Sequence, residues 1–242
     1  MRAILLACLI TLPLHAEEVS DIIRAYSEHN LSRLSRIKNY TYRLRSERRT
    51  YDRTGKLKSR DVTTLEFVYQ RRGLSVKVIG KNDKPLSPKK ALKEQEAIER
   101  RVANAHPPSG RQFLEGYGFQ LETVEELNGR PAWVISGQSR TGEVQSRIKL
   151  WIDQADYECA RFEGELTLES NAGLEHAQVD DRITFEWIRM DEGVWLPAHT
   201  LVRHYRRLPP FQRSDHQEFE ITYTNYKKFQ AESRIVDIPE AH

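Results

Sequence analysis

Residues 17–37 carry apolar side chains at helical spacing, and from residue 39 onward the apolar period drops to two. Val19, Ile22, Ile23, Tyr26, Leu34 and Ile37 fall three or four apart, the stripe of an amphipathic helix that buries one face. Glu17, Glu18 and Asp21 in its first turn and Arg33, Arg36 and Lys38 in its last suit the helix dipole. Next, Tyr40, Tyr42 and Leu44 alternate with Thr41, Arg43 and Arg45. After the turn Asp52-Arg53-Thr54-Gly55-Lys56, Leu65, Phe67 and Tyr69 alternate with Thr64, Glu66 and Gln70, and Arg71-Arg72-Gly73 leads into Leu74, Val76 and Val78. These are three half-buried strands of an antiparallel meander.

Residues 87–104 return to a helical pattern, with Ala91, Leu92, Gln95, Ile98 and Val102 on one side and charges elsewhere. Ser87-Pro88 opens this inserted helix, and His106-Pro107-Pro108-Ser109-Gly110 ends it in a mobile connection. Strands resume at Phe119–Leu127, turn at Asn128-Gly129, whose positive φ angles suit a type I′ hairpin, and continue at Ala132–Ser136. Further alternation marks Ile148, Leu150 and Ile152; Phe162, Leu166 and Leu168; Ile183, Phe185 and Trp187; and two last strands near residues 194–205 and 217–229. The pattern predicts a mainly β fold with some α: an unclosed antiparallel β-barrel or strongly curved sheet of about ten strands. An N-terminal helix and an inserted helix cover it. The charged residues alternating with the apolar ones predict a solvated convex face.

Residues 1–16 read as an export signal: Arg2, an apolar run from Ala3 to Leu14, and Ala16 before the cut. The run is too short to span a bilayer, so the expected location is the periplasm, with residues 17–242 forming one domain. Leu5-Leu6-Ala7-Cys8 offers a lipobox, a reading weakened by the few apolar residues ahead of Cys8. A net charge of +3 on a chain that is 30% charged argues against a nucleic-acid surface. Cys159 alone remains after the signal, so no internal disulfide is expected, and a small buried residue describes it better than a catalytic thiol.

Catalytic apparatus is not legible. Histidines 29, 106, 176, 199, 204, 216 and 242 show no metal spacing, although His204 and His216 flank the Pro209-Pro210 turn and would bind zinc only if they faced each other with a carboxylate. Ser109-Gly110 and Ser136-Gly137 lack a nucleophile elbow, and Glu125-Glu126 and Asp180-Asp181 point to opposite strand faces. Glu66, Glu122 and Glu165 remain as carboxylates for an envelope-lipid or glycan enzyme, with nothing to place two across a cleft. No cofactor, metal site or enzymatic activity is expected. The candidate site is instead an apolar wall of Tyr40, Tyr42, Leu44, Leu65, Phe67, Tyr69, Val76, Trp133, Ile135, Leu150, Phe185, Trp187 and Tyr223, beneath helices that leave a cleft for an acyl chain.

Asn128-Gly129-Arg130-Pro131-Ala132-Trp133-Val134-Ile135, Leu150-Trp151-Ile152-Asp153 with Arg161-Phe162-Glu163-Gly164, Gly193-Val194-Trp195-Leu196-Pro197 and Tyr223-Thr224-Asn225-Tyr226-Lys227-Lys228-Phe229 follow one another in an order that resembles the LolA-like outer-membrane lipoprotein-sorting family. The resemblance covers most of the chain after the signal. It implies an unclosed barrel with a helical lid and periplasmic residence. Its cavity would shield acyl chains in transit to the outer membrane, with an acylated lipoprotein or lipid-like ligand and an inner- or outer-membrane delivery partner. Related domains act as envelope sensors or interaction modules, which gives the alternative reading. This chain is longer than the typical carriers, and its helix at residues 87–104 is more charged. The shared motifs are architectural, so no binding residue is carried over.

Overall fold

A computed structural model describes residues 14–37, 40–70, 73–87, 89–91, 115–139, 145–170, 177–190, 193–207 and 215–228. The helix α1 spans Leu14–Ile37, starting ahead of the expected cut at Ala16. Eleven strands follow: β1 Tyr40–Tyr51, β2 Leu57–Gln70, β3 Gly73–Lys81, β4 Lys84–Pro85, β5 Tyr117–Leu127, β6 Arg130–Ser139, β7 Gln145–Asp153, β8 Cys159–Ser170, β9 Ala177–Arg189, β10 Trp195–Arg207 and β11 Asp215–Lys228. The short β4 is the strand beyond the ten expected. Of the inserted helix, residues 89–91 form one helical turn, with the Ala91 N–H donating to the Ser87 carbonyl at 2.9 Å. Residues 1–13, the rest of that helix and the Pro107-Pro108 and Pro209-Pro210 connections lie outside the described residues.

All strands join one antiparallel sheet in the order β4-β3-β2-β1-β11-β10-β9-β8-β7-β6-β5, and it does not close. Every neighbouring pair is a sequence hairpin except β1 and β11, where the last strand returns to pair with the first, Leu44 opposite Tyr223. One ladder runs across eight strands as Ser46, Ile221, Thr200, Phe185, Phe162, Leu150, Ile135 and Leu121. It defines an inner face, because α1 lies on it. Val19, Ile22, Ile23 and Tyr26 of α1 bury against Ile135, Ile148, Leu150, Ile152, Phe162 and Trp187, so these four members of the helical stripe form the packing face, while the Leu34 and Ile37 side chains lie outside the described residues. No helix among the described residues is long and apolar enough to cross a membrane.

Local geometry follows local chemistry. Asn128 and Gly129 take φ of 55° and 75°, as a type I′ turn between β5 and β6 requires. Pro197 sits inside β10 beside a register shift between Pro197 and His199, the kind of place where a residue without an N–H is tolerated in a strand. The Tyr226 hydroxyl donates to its carbonyl. At Gly137 a Cβ would lie 2.8 Å from Ile148 Cγ1 and 2.9 Å from the Phe119 ring, so only glycine lets those side chains close over the strand.

Candidate functional site

The inner face carries two separately covered clusters. Under α1 lies the one just described, with Trp133, Phe185, Phe119 and Leu121 at its margin. At the other end Tyr42, Leu44, Leu65, Phe67, Val76 and Val78 are buried together, edged by Ile221, Tyr223, Leu86 and Ala91. Tyr42 stacks on Phe67 at 4.9 Å and meets Tyr223 and Tyr226. Burial pushes the Tyr223 phenol up from its ordinary pKa, opposed by the Thr200 hydroxyl. Of the wall read from the sequence, Ile135, Leu150, Phe185, Trp187 and Trp133 belong to the first cluster and Tyr42, Leu44, Leu65, Phe67, Val76 and Tyr223 to the second. Tyr40 joins neither; it packs with Leu196, Met190, Val194 and Tyr226. The Tyr69 side chain lies outside the described residues.

Between the clusters the same face is apolar and partly open. A second ladder reads Gly137, Ile148, Gly164, Ile183, Val202, Phe219, Arg48 and Asp61. Its middle members Ile183 and Val202 are half-buried and Phe219 is 39% exposed. A third ladder, Leu166, Asp181, His204, Gln217, Thr50 and Ser59, ends the strip in polar groups. There Asp181 meets His204 at 2.5 Å, and Arg48 pairs with Asp61 at 3.0 Å. The inner face thus grades from covered core through an open apolar strip to a polar lip. Sequence reasoning named Ile183 only as a strand residue and passed over Val202, Phe219 and Ile221 as site candidates. Phe219 and Ile221 follow the same alternation that singled out Tyr223, so the signal was present in β11.

Two surface clefts lie away from this strip. One of about 270 Å³ borders the second cluster at Tyr42 and is otherwise lined by Arg43, Glu66, Val68, Asn225 and Lys227. The other, of about 420 Å³, lies between α1 and Trp133 and Tyr157. Neither cleft is lined by Ile183, Val202 or Phe219.

The outer face is ionic. Glu47 is buried, and its carboxylate accepts from Arg60, Arg45 and Arg49 at 2.7–2.9 Å. Arg60 foremost, then Arg45 and Arg49, outweigh burial and hold its pKa down to about 2. Arg49 reaches on to Glu220 at 2.6 Å, and Arg203 pairs with Glu218 at 3.1 Å. Glu220 is held low by His199, with burial opposing and Arg49 adding to the effect. Farther across, Lys149 and Arg161 stand over the Trp151 ring at 5.5 and 5.1 Å, and Trp151 Nε1 donates to Glu125 at 2.9 Å.

Among the described residues no three His, Cys, Asp or Glu side chains group to hold a metal ion. Register sets Tyr205 opposite His216 and Gln217 opposite His204, so the two imidazoles point to opposite faces and cannot share a metal. His216 lies between the Tyr51 and Tyr205 rings at 4.6 and 4.4 Å. Glu66, Glu122 and Glu165 sit on β2, β5 and β8, engaged by Arg43 at 3.7 Å, Lys149 at 2.6 Å and Arg182 at 3.4 Å. Cys159 is buried, its thiol donating to the Arg161 carbonyl.

No family model and no curated protein matches the chain. Among solved structures it is similar to a putative outer membrane lipoprotein-sorting protein domain from Vibrio parahaemolyticus, at 12% identity and TM-score 0.38, covering 89% of this chain and 95% of that one. It is also similar to a MucA/MucB complex structure of Pseudomonas aeruginosa, at 8% identity and TM-score 0.25 over 88% and 100% of the two chains. A LolA superfamily protein from Nitrosomonas europaea is likewise similar, at 13% identity and TM-score 0.31 over 89% and 94%.

Proposed function

We propose that the chain is an exported, non-enzymatic carrier or chaperone of the periplasm that shields the acyl chains of a lipoprotein, or another apolar ligand, in transit to the outer membrane. One observation carries the reading: Ile183, Val202 and Phe219 form a cross-strand apolar strip that is left partly open between two covered clusters of the same face. A soluble sheet gains by covering such a strip, and an acyl chain gains about 0.8 kcal/mol for each methylene it buries there. The flanking residues Tyr42, Phe67, Tyr223, Phe185 and Trp187 are the walls against which a longer chain would lie once a covering helix moves. Ligand and lid would compete for one surface.

Titration with a fluorescent fatty-acid probe tests this. Binding is expected, and Val202→Asp with Phe219→Asp should weaken it at least tenfold while leaving the fold intact, because both positions are already partly wet. Absent binding, or binding unchanged in the double variant, sinks the reading.

A second reading has its own observation. Ile135, Leu150 and Ile152 are completely covered beneath α1, so one half of the inner face is filled by the chain's own side chains. A sensor or interaction module for an envelope partner would look the same there. Co-purification of a protein partner, together with failure of the probe to bind, selects that reading.

A further inference from the structure

We propose that the β1–β2 hairpin is a docking element for the surface of an anionic lipid bilayer. Residues 48–60 hold Arg48, Arg49, Arg53, Lys56, Lys58 and Arg60 against one carboxylate, Asp52, a net +5 where the whole chain carries +3. The other residues sum to −2, with a second basic stretch at residues 71–93, where eight cations face Asp83 alone; at the tip Arg48 is committed to Asp61 and Arg49 and Arg60 to Glu47, which leaves Arg53, Lys56 and Lys58. The carboxylates nearby are already engaged. Asp52 caps its own turn, accepting from the Thr54 and Lys56 N–H groups at 2.9 Å and from the Thr54 hydroxyl at 2.7 Å. Asp61 pairs with Arg48 at 3.0 Å, and Asp83 lies 3.5 Å from Arg45 and Arg60. Among the described residues Arg53, Lys56 and Lys58 make no ion pair, and all three are exposed.

The tip is also stiff. Asp52 N–H donates to the Lys56 carbonyl at 2.9 Å and Gly55 N–H to the Asp52 carbonyl at 3.1 Å, with Gly55 at φ +81°. β2 pairs with β3 from Thr63 onward, and Val62 is tied to Asn82 just beyond β3, so residues 57–61 run past that neighbour. Leu57, 47% exposed, stands between Lys56 and Lys58, and an apolar group among cations suits a lipid surface better than a soluble polyanion. Register puts the hairpin at the end of the sheet where the apolar strip meets its polar lip, since Phe219 is opposite Arg48 and Gln217 opposite Thr50. Docking would therefore bring the open end of the strip to the membrane. Docking itself stands independently of the carrier reading; only that loading role rests on it.

Vesicle co-sedimentation of the purified protein tests the proposal. Vesicles of about one-third phosphatidylglycerol in phosphatidylcholine should bind it at low salt and release it at about 0.5 M salt, and pure phosphatidylcholine should not bind it. With each surface cation adding about a fivefold gain, Arg53→Gln, Lys56→Gln and Lys58→Gln together should weaken binding on the order of a hundredfold. Far-UV circular dichroism and fatty-acid probe binding should stay unchanged. Arg53→Lys, Lys56→Arg and Lys58→Arg should restore the vesicle binding. Failure of the wild type to sediment with the anionic vesicles, wild-type binding by the triple glutamine variant, or capture by heparin without vesicle binding would each overturn the proposal. Loss of probe binding alone would count against the carrier reading and leave docking standing.

Discussion

Glu47 is an acid buried on the charged side of the sheet. Alternation places it among solvated residues, and the guanidinium groups of Arg45, Arg49 and Arg60 surround its carboxylate and hold its charge. Its folded pKa, about 2, lies below the ordinary value of 4.5. The stability it contributes is therefore complete above about pH 4.5 and is lost as pH falls toward 2, a loss of about 3 kcal/mol. Urea unfolding at a series of pH values should show that loss, and Glu47→Gln should flatten it. A wild-type curve level across this range would contradict the assignment. Gly137 gives a steric counterpart: Gly137→Val should cost about 1–3 kcal/mol, read as a lowered denaturation midpoint, by forcing Phe119 and Ile148 apart. Asn128-Gly129 was legible from its own chemistry. Glu47 was not, because what covers it comes from the neighbouring strand β2 and from its own strand two residues to either side.

At the scale of elements, α1 was readable because its stripe repeats within the helix, whereas the pairing of β1 with β11 joins residues some 180 apart and leaves no local trace. What fixes that pairing is partly ionic. Register sets Glu47 against Glu220 across that pairing and Arg49 against Arg60 across β1 and β2, like charges whose opposition is unfavourable on its own. The diagonal links Arg60 to Glu47 and Arg49 to Glu220 turn those repulsions into attractions, and a slip of one residue would lose them. Val19, Ile22, Ile23 and Tyr26 seat α1 on the sheet by apolar burial, so Ile22→Ala or Ile23→Ala should each cost about 2–4 kcal/mol in chemical denaturation. A much smaller cost would mean that the helix is not seated on the sheet as described. The β6–β7 end is tied differently. Asp153 is buried; burial raises its pKa, but Arg130 and the N–H groups of Asp156 and Ala155 outweigh that and hold it low. Asp153→Ala should loosen the Gln154–Tyr157 turn and lower stability by about 3–5 kcal/mol.

For the whole molecule, alternation predicted which side chains share a face but not which stretch of that face is covered. Coverage depends on where α1 lands and on β11 entering the middle of the sheet, and neither is a local property. Most of the aromatic residues expected to form one wall thus divide between two clusters, with Tyr40 in neither, and the open strip between them runs through Ile183, Val202 and Phe219, two of which the sequence had not marked. The account's central claim is that this strip receives an apolar guest. Cross-linking with a photoactivatable fatty acid, followed by peptide mass spectrometry, tests it most directly. Adducts are predicted on the β9, β10 and β11 peptides that carry Ile183, Val202 and Phe219, and unlabelled fatty acid should compete them away. Adducts confined to the ionic face or to the α1 cleft, or none that unlabelled fatty acid displaces, would contradict it.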